Sequence, residues 1–382
     1  MGLPDIVIEF SRKAVVAIKN GTLGVVGLIV RDSKNLGAMV LKSVDDIPTG
    51  DSAFRSHIDE FIKNAFLGTP SKVIVYTIDE YTDEKFSEAL KFFSTQKVNY
   101  IASYVHDGML GDIPKHDTAL ATWVKSLRAG TPRRPVVIVR SPSVADSRAV
   151  ICFDVVNGHE DGDVNTEGSA DKLIVNGKAI EPACYTSRIA GLLAGLDLKV
   201  SATYKPLDDV TSIPVATEEE VNEAIEAGKL VLYNNGEKIV IARGVNSLTT
   251  VTEDETEDLK KIKISAIQDL IETDIYSTIN NSYIGNYSNS YDNKCLLITA
   301  IKGYLKGLEA TEGGKGYLKA GSSTIEINVA KQKQYLESIG IDTSEMSEQE
   351  IKEANTGSHV FLKGTISILD AIEDVEIFIN KE

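Results

Sequence analysis

Cysteine is scarce in this chain. Cys152, Cys184 and Cys295 are the only three, they lie far apart, and their number is odd. A disulfide framework is not expected, and no CxxC pair offers a zinc ribbon. Long apolar runs are also missing: no stretch of about 18 such residues could span a bilayer. The opening Met1-Gly2-Leu3-Pro4-Asp5 lacks the basic-then-apolar layout of a secretory signal, so synthesis and assembly in a cytoplasm are the expectation. Positive charge is in deficit, with 40 Lys and Arg against 56 Asp and Glu, a net of −16. No basic stripe interrupts that balance, which argues against a nucleic-acid partner. What remains is ordinary for a globular protein, 42% apolar and 25% charged. At 382 residues the chain can hold two or three packed units.

Catalytic signatures are equally sparse. Ser-His-Asp chemistry needs an exposed nucleophile within reach of an oriented base, but there is no Gly-x-Ser-x-Gly elbow. His57, His106, His116, His159 and His359 carry no partner signature. Gly313-Gly314-Lys315-Gly316 has the lysine of a phosphate loop without its first glycine or the following Ser or Thr. Asp161-Gly162-Asp163-Val164-Asn165 begins like a calcium loop, then fails at Thr166 and Lys172, where Gly and Glu are needed. His106-Asp107 and His116-Asp117 have no further ligand at a fixed spacing and read as caps or surface. No catalytic residue, metal or cofactor is assigned. An α/β hydrolase or nucleotide-using enzyme stays the alternative reading.

The residues that are present alternate strand with helix. Strand patterns occupy Pro4–Phe10, Gly24–Val30, Val73–Ile78, Tyr100–Tyr104, Pro135–Arg140 and Ala149–Val155; helical patterns occupy Thr82–Phe93, Asp117–Arg128 and Glu181–Leu198. Such alternation predicts βαβ units around a mainly parallel sheet. Small residues in Ala190-Gly191-Leu192-Leu193-Ala194-Gly195 would let another backbone pack closely. Thr217-Glu218-Glu219-Glu220 and Ser347-Glu348-Gln349-Glu350 are capping boxes, the first opening a helix that Gly228 ends. Thr324–Val329, Val360–Leu369 and Val375–Ile379 alternate as strands.

The chain is organised around Lys238–Leu308. A short apolar strand leads into Arg243-Gly244-Val245-Asn246-Ser247-Leu248-Thr249-Thr250, then an acidic loop. Next comes a helix whose Ile264, Ile267, Ile271, Ile275 and Ile279 fall on one face. Tyr283-Ile284-Gly285-Asn286 breaks it, and a further helix covers Leu296–Leu308. Gly244 is expected at a turn that tolerates no Cβ, with Arg243 holding nearby backbone or a carboxylate.

That succession resembles the C-terminal half of contractile phage tail sheath proteins. Arg243, Gly244, Asn246, Tyr283 and Gly285 carry the likeness. The opening, from Gly2-Leu3-Pro4-Asp5 through Gly24-Val25-Val26-Gly27, is similar to sheaths of Gram-positive phages and phage-like particles. Tyr204-Lys205-Pro206 is a shortened form of the family's aromatic-Lys-x-Pro loop. The resemblance implies an N-terminal arm (1–20), a segment packing with the C-terminal domain (21–70) and a subtilisin-like α/β sheath domain (71–237). It also implies an α+β C-terminal sheath domain (238–369) and a C-terminal arm (370–382). It implies a structural protein of a virion or bacteriocin-like particle, not an enzyme, assembling with itself as stacked hexameric rings around a tail tube. Baseplate and tail terminator proteins are the other implied partners, without nucleic acid or direct membrane insertion. Ile6, Ile8 and Phe10 at one end, and Val375, Ile377 and Ile379 at the other, are the implied inter-subunit strand arms. The acceptor sheet would be built from Ile325, Ile327, Val360, Leu362, Ile366 and Ile368. Arg12, Lys13 and Lys19 outnumber Asp5 and Glu9, whereas residues 370–382 carry five acids against Lys381. Arms of opposite sign can meet on one sheet.

Overall fold

Eight strands form the main sheet, in the order β11-β10-β6-β5-β4-β1-β3-β2. They are β1 (Val25–Arg31), β2 (Gly37–Leu41), β3 (Lys72–Ile78), β4 (Tyr100–Tyr104), β5 (Val136–Val139), β6 (Val150–Asp154), β10 (Lys229–Asn234) and β11 (Ile239–Ile241). The computed structural model describes residues 24–104, 113–140, 142–156, 172–253, 255–311 and 316–379. The centre of the sheet is parallel, and only β2 and β11, at the two edges, run antiparallel to their neighbours. The central strands are largely apolar because both of their faces are covered. Val26, Leu28 and Val30 of β1 face one core with Val73, Val75, Tyr100, Ala102, Val136 and Ile138. Ile29, Ile74, Ile101, Val137 and Val139 face the other.

Helices α1 (Ser56–Phe66) and α4 (Pro182–Gly195) cover the first face, and α2 (Asp83–Phe93) and α3 (Ile113–Gly130) the second. The glycines of α4 explain how closely it sits on α1. A Cβ on Gly191 would stand 1.9 Å from the Ala65 carbonyl oxygen, and one on Gly195 1.7 Å from that of Gly68. A three-stranded sheet of β7 (Leu173–Val175), β8 (Lys178–Ile180) and β9 (Val210–Ser212) adjoins the capped helix α5 (Glu218–Glu226) in sequence. Residues Tyr204–Leu207 bond to the outer side of β11, so that edge is not left open.

Two compact units divide the described residues. One runs up to Thr273 and includes the segment from Asp370 onward; the other is Asp274–Leu369. The chain passes between them inside α6 (Ile262–Thr278). β1, from the stretch 21–70, lies between β3 and β4, where only a strand apolar on both faces fits. β11, which follows Lys238, pairs with β10 in the same sheet. The second unit contains the end of α6, a π-turn (Ile279–Tyr283), α7 (Tyr291–Leu308), β12 (Thr324–Ile327), α8 (Val329–Ser338), α9 (Glu348–Glu353) and β13 (Leu362–Thr365). Asn328 caps α8, which shortens the strand expected to reach Val329. Ile301, Leu305, Leu308, Leu318, Ile327, Leu336 and Ile351 are among its buried apolar residues.

Candidate functional site

Residues 243–250 form a junction loop in which nearly every residue is tied to a different element. Asn246 is buried; its amide nitrogen donates to the Leu259 carbonyl at 2.7 Å, and its oxygen accepts from Leu248 N–H at 3.0 Å. The Ser247 hydroxyl donates to the Ser147 carbonyl, and its N–H to that of Val150. Asp146 accepts from the N–H groups of Thr249 and Thr250 at 2.8 and 3.0 Å, which holds its carboxyl well below the usual carboxylate range. Gly244 does not take the left-handed conformation expected of a turn. Its need is for space, because a Cβ would lie 3.1 Å from Ala202 Cβ and 3.3 Å from Thr203 N.

Arg243 meets its expected carboxylate, and the partner lies 130 residues away. The segment after Leu369 returns to this loop and inserts Glu373, whose side chain is 5% exposed. One carboxylate oxygen accepts from Ser201 Oγ at 2.8 Å and Thr203 Oγ1 at 2.7 Å. The other lies 3.4 Å from both Arg243 Nε and Lys261 Nζ. Asp374 pairs with Arg243 and Asp370 with Lys261. Burial alone would raise the Glu373 carboxyl, but bonds from Thr203 and Ser201 and the charge of Lys261 outweigh it and hold it below its ordinary value. Burial pulls Arg243 and Lys261 down, and their carboxylate partners push both up beyond it. Lys263, also buried, is lowered by desolvation, which Asp370 and Glu373 only partly offset. This is a grip on one carboxylate, with no reacting group in it. Beyond the grip the chain is bare: Val375 is 70% exposed, Ile377 73%, and Phe378 and Ile379 86% each. None of these residues pairs in a strand.

In the Asp274–Leu369 unit, β12 and β13 form a two-stranded antiparallel sheet that pairs Ile325 with Gly364 and Ile327 with Leu362. Ile368 bridges to Leu318. Ile327 is buried, Ile325, Leu362 and Ile368 are half-buried, and Val360 and Ile366 are exposed. The same unit holds the second motif. Tyr283 closes the π-turn and stacks on Tyr287 with centroids 5.2 Å apart, and Gly285 follows at φ 76°. The expected N-terminal strand with Ile6, Ile8 and Phe10 lies outside the described residues.

Comparison with known proteins places these features in one family. Residues 79–247 match the model of the phage tail sheath protein central domain. The tail sheath protein of Clostridium phage phiCD119 is 35% identical over 384 residues, covering 98% of each chain. The chain belongs to the phage tail sheath family. The fold agrees with solved sheath structures at low identity. The contracted helical sheath of the anti-feeding prophage matches over 100% of both chains at 14% identity, with a TM-score of 0.69. A sheath tail protein of Listeria innocua covers 93% of this chain and 97% of its own at 15% identity, with a TM-score of 0.62.

The described histidines pack on aromatic rings. His57 packs on Tyr104, His359 on Tyr335 and Phe361, and His116 on Tyr81 and Phe86. Burial depresses His116 to about 4. His106 and His159 fall outside the described residues. No described helix is long and apolar enough to cross a membrane. Reading the sheath sequence missed Ser201, Thr203, Lys261, Asp370, Glu373 and Asp374 as one cluster. The available signal was an acidic run at 370–374 opposite an arginine already expected to hold a carboxylate.

Proposed function

We propose that this sheath subunit polymerises as stacked hexameric rings around a tail tube and contracts to drive that tube through a target envelope. Its terminal segments act as arms that add strands to sheets of neighbouring copies. The observation carrying this reading is the run Val375–Ile379: mostly apolar, 70–86% exposed where quantified, and without a strand partner among the described residues. A two-stranded sheet such as β12–β13 is marginal alone, and among the described residues no third strand pairs with either edge, so the edges offer the backbone groups that an added strand needs. Ile325, Ile366 and Val360 would then receive Val375, Ile377 and Ile379. We read Ile6, Ile8 and Phe10 as the corresponding N-terminal arm. The subtilisin-like description of the α/β unit, a non-catalytic role, the tube, baseplate and terminator partners, and assembly in the host cytoplasm belong to the same reading.

The test is to image purified protein by negative stain, with and without residues 375–382. Full-length protein should form wide tubes. The truncated chain should stay monomeric, with a melting temperature within about 1 °C of wild type, because it gives up almost no buried surface. Tubes from the truncated protein, or a truncated monomer that unfolds, would refute arm exchange at this end.

A further inference from the structure

The exposed strand has a fixed root. Between Leu369, whose N–H bonds to the Tyr317 carbonyl, and the bare residues from Val375, a single side chain is buried. Ile372 on one side of Glu373 is 90% exposed and Val375 on the other is 70% exposed, against 5% for Glu373 itself. An isolated buried carboxylate would be strongly disfavoured. This one is matched on both oxygens, by two hydroxyls and two cations. The receiving residues come from three places in the chain: the loop before Tyr204, the junction loop at Arg243, and Lys261, one residue before α6. All of them belong to the unit that carries the eight-stranded sheet.

We propose that Glu373 is the positioning residue of the C-terminal arm. Its grip on Ser201, Thr203, Arg243 and Lys261 makes the sheet-bearing unit, and not the Asp274–Leu369 unit from which the chain arrives, the body that presents strand 375–379 to a second copy. The proposal rests on the arm-exchange reading above. Its physical consequence is a short tether. Gripped, the strand begins about one residue from a fixed point; released, its nearest backbone anchor is Leu369, because the remaining pairs of Asp370 and Asp374 are solvent-exposed and weak. For a flexible tether, effective concentration falls roughly as the −3/2 power of length, so release lowers it by about tenfold per arm. Load on the arm passes into the sheet through Arg243 and Lys261.

The experiment compares Glu373→Ala, Glu373→Gln and Arg243→Gln in the full chain. Spin labels at Glu376→Cys and Lys199→Cys, with the three native cysteines replaced by alanine, report the distance from strand to sheet unit below the polymerisation threshold. Wild type should give a narrow distribution. Glu373→Ala should broaden it and raise the protein concentration needed for tubes about tenfold, with melting within about 2 °C of wild type. Glu373→Gln keeps an oxygen for Ser201 and Thr203 and should fall between the two; Arg243→Gln should also broaden the distribution. If Glu373→Ala leaves both distribution and threshold unchanged while removal of 375–382 abolishes tubes, the grip is irrelevant and arm exchange survives. If removal of 375–382 also leaves tubes intact, both readings fail together. A Glu373→Ala chain that does not fold, with Arg243→Gln folding and indistinguishable from wild type by distance and threshold, would make Glu373 a stability residue and overturn the proposal.

Discussion

Asp269 offers the most direct measurement of what holds α6 in place. For its first ten residues this helix is buried on almost every side, so any charge on it must be matched within the protein. Arg128 from α3 supplies a two-point match, with nitrogens 2.8 and 2.6 Å from the two oxygens of Asp269. Arg148 adds a third contact at 3.4 Å and reaches Glu272, which Arg134 also binds at 2.6 Å. The Arg128 and Asp269 side chains are 9% and 7% exposed, so solvent does little to screen them. Asp269→Ala leaves the Arg128 guanidinium without its anion, while Arg148 keeps Glu272, a loss of about 3–5 kcal/mol. In a unit of this size 1 kcal/mol moves the melting temperature by about 2–4 °C, so the fall should be roughly 6–20 °C. Calorimetry on the chain lacking 375–382, which the arm reading expects to stay monomeric, avoids confusing folding with polymerisation. Arg128→Ala and the double variant complete a cycle, and the double should lose clearly less than the two singles together. A loss below about 1 kcal/mol for Asp269→Ala, or strict additivity, would refute the claim that this pair anchors the helix.

Gly191→Ala should destabilise the sheet unit by about 1–3 kcal/mol, because the obstacle to its Cβ is a backbone carbonyl that cannot rotate away; a melting curve superimposable on wild type would show that α1 and α4 yield freely. Burial lowers His116 to about 4 in the folded chain, against an ordinary value near 6.5 when unfolded, so the folded state binds fewer protons between these values. Stability should therefore decline as pH falls from about 6.5 to 4, by up to about 3 kcal/mol from this group. His116→Leu should flatten that part of a pH series of urea melts, and an unchanged slope would sink the assignment.

The sheet was legible because its signal is local. Val73–Ile78 and Tyr100–Tyr104 are short β-branched or apolar runs between helical patterns, and both lie where expected. Capping boxes at Thr217 and Ser347 marked two helix starts correctly because their geometry closes within four residues. What escaped notice depends on distance along the chain. The Ile264, Ile267 and Ile271 stripe is visible in sequence, but Asp269 and Glu272 beside it make sense only once Arg128, Arg134 and Arg148 are brought up from other elements. Helix α1 was missed for a related reason: His57, Asp59, Glu60, Lys63 and Asn64 dilute its four buried residues. Val375–Ile379 reads as a strand in the sequence, and among the described residues it pairs with no other strand.

The junction loop joins these strands of argument. Motifs usually attract attention as chemistry, and Arg243–Thr250 contains none. Each residue instead satisfies a long-range contact: Arg243 with Glu373, Gly244 with Ala202 and Thr203, Asn246 with Leu259, Ser247 with Ser147, and Thr249 and Thr250 with Asp146. A Cβ at 244 would press on Thr203, whose hydroxyl donates to Glu373 while accepting the Gly244 N–H at 3.0 Å. The glycine, the hydroxyl and the carboxylate therefore form one chain of contacts from the sheet to the root of the strand. That dependence gives a structural polymer a reason to keep Arg-Gly-x-Asn at this place: the loop fixes the point from which the C-terminal strand departs.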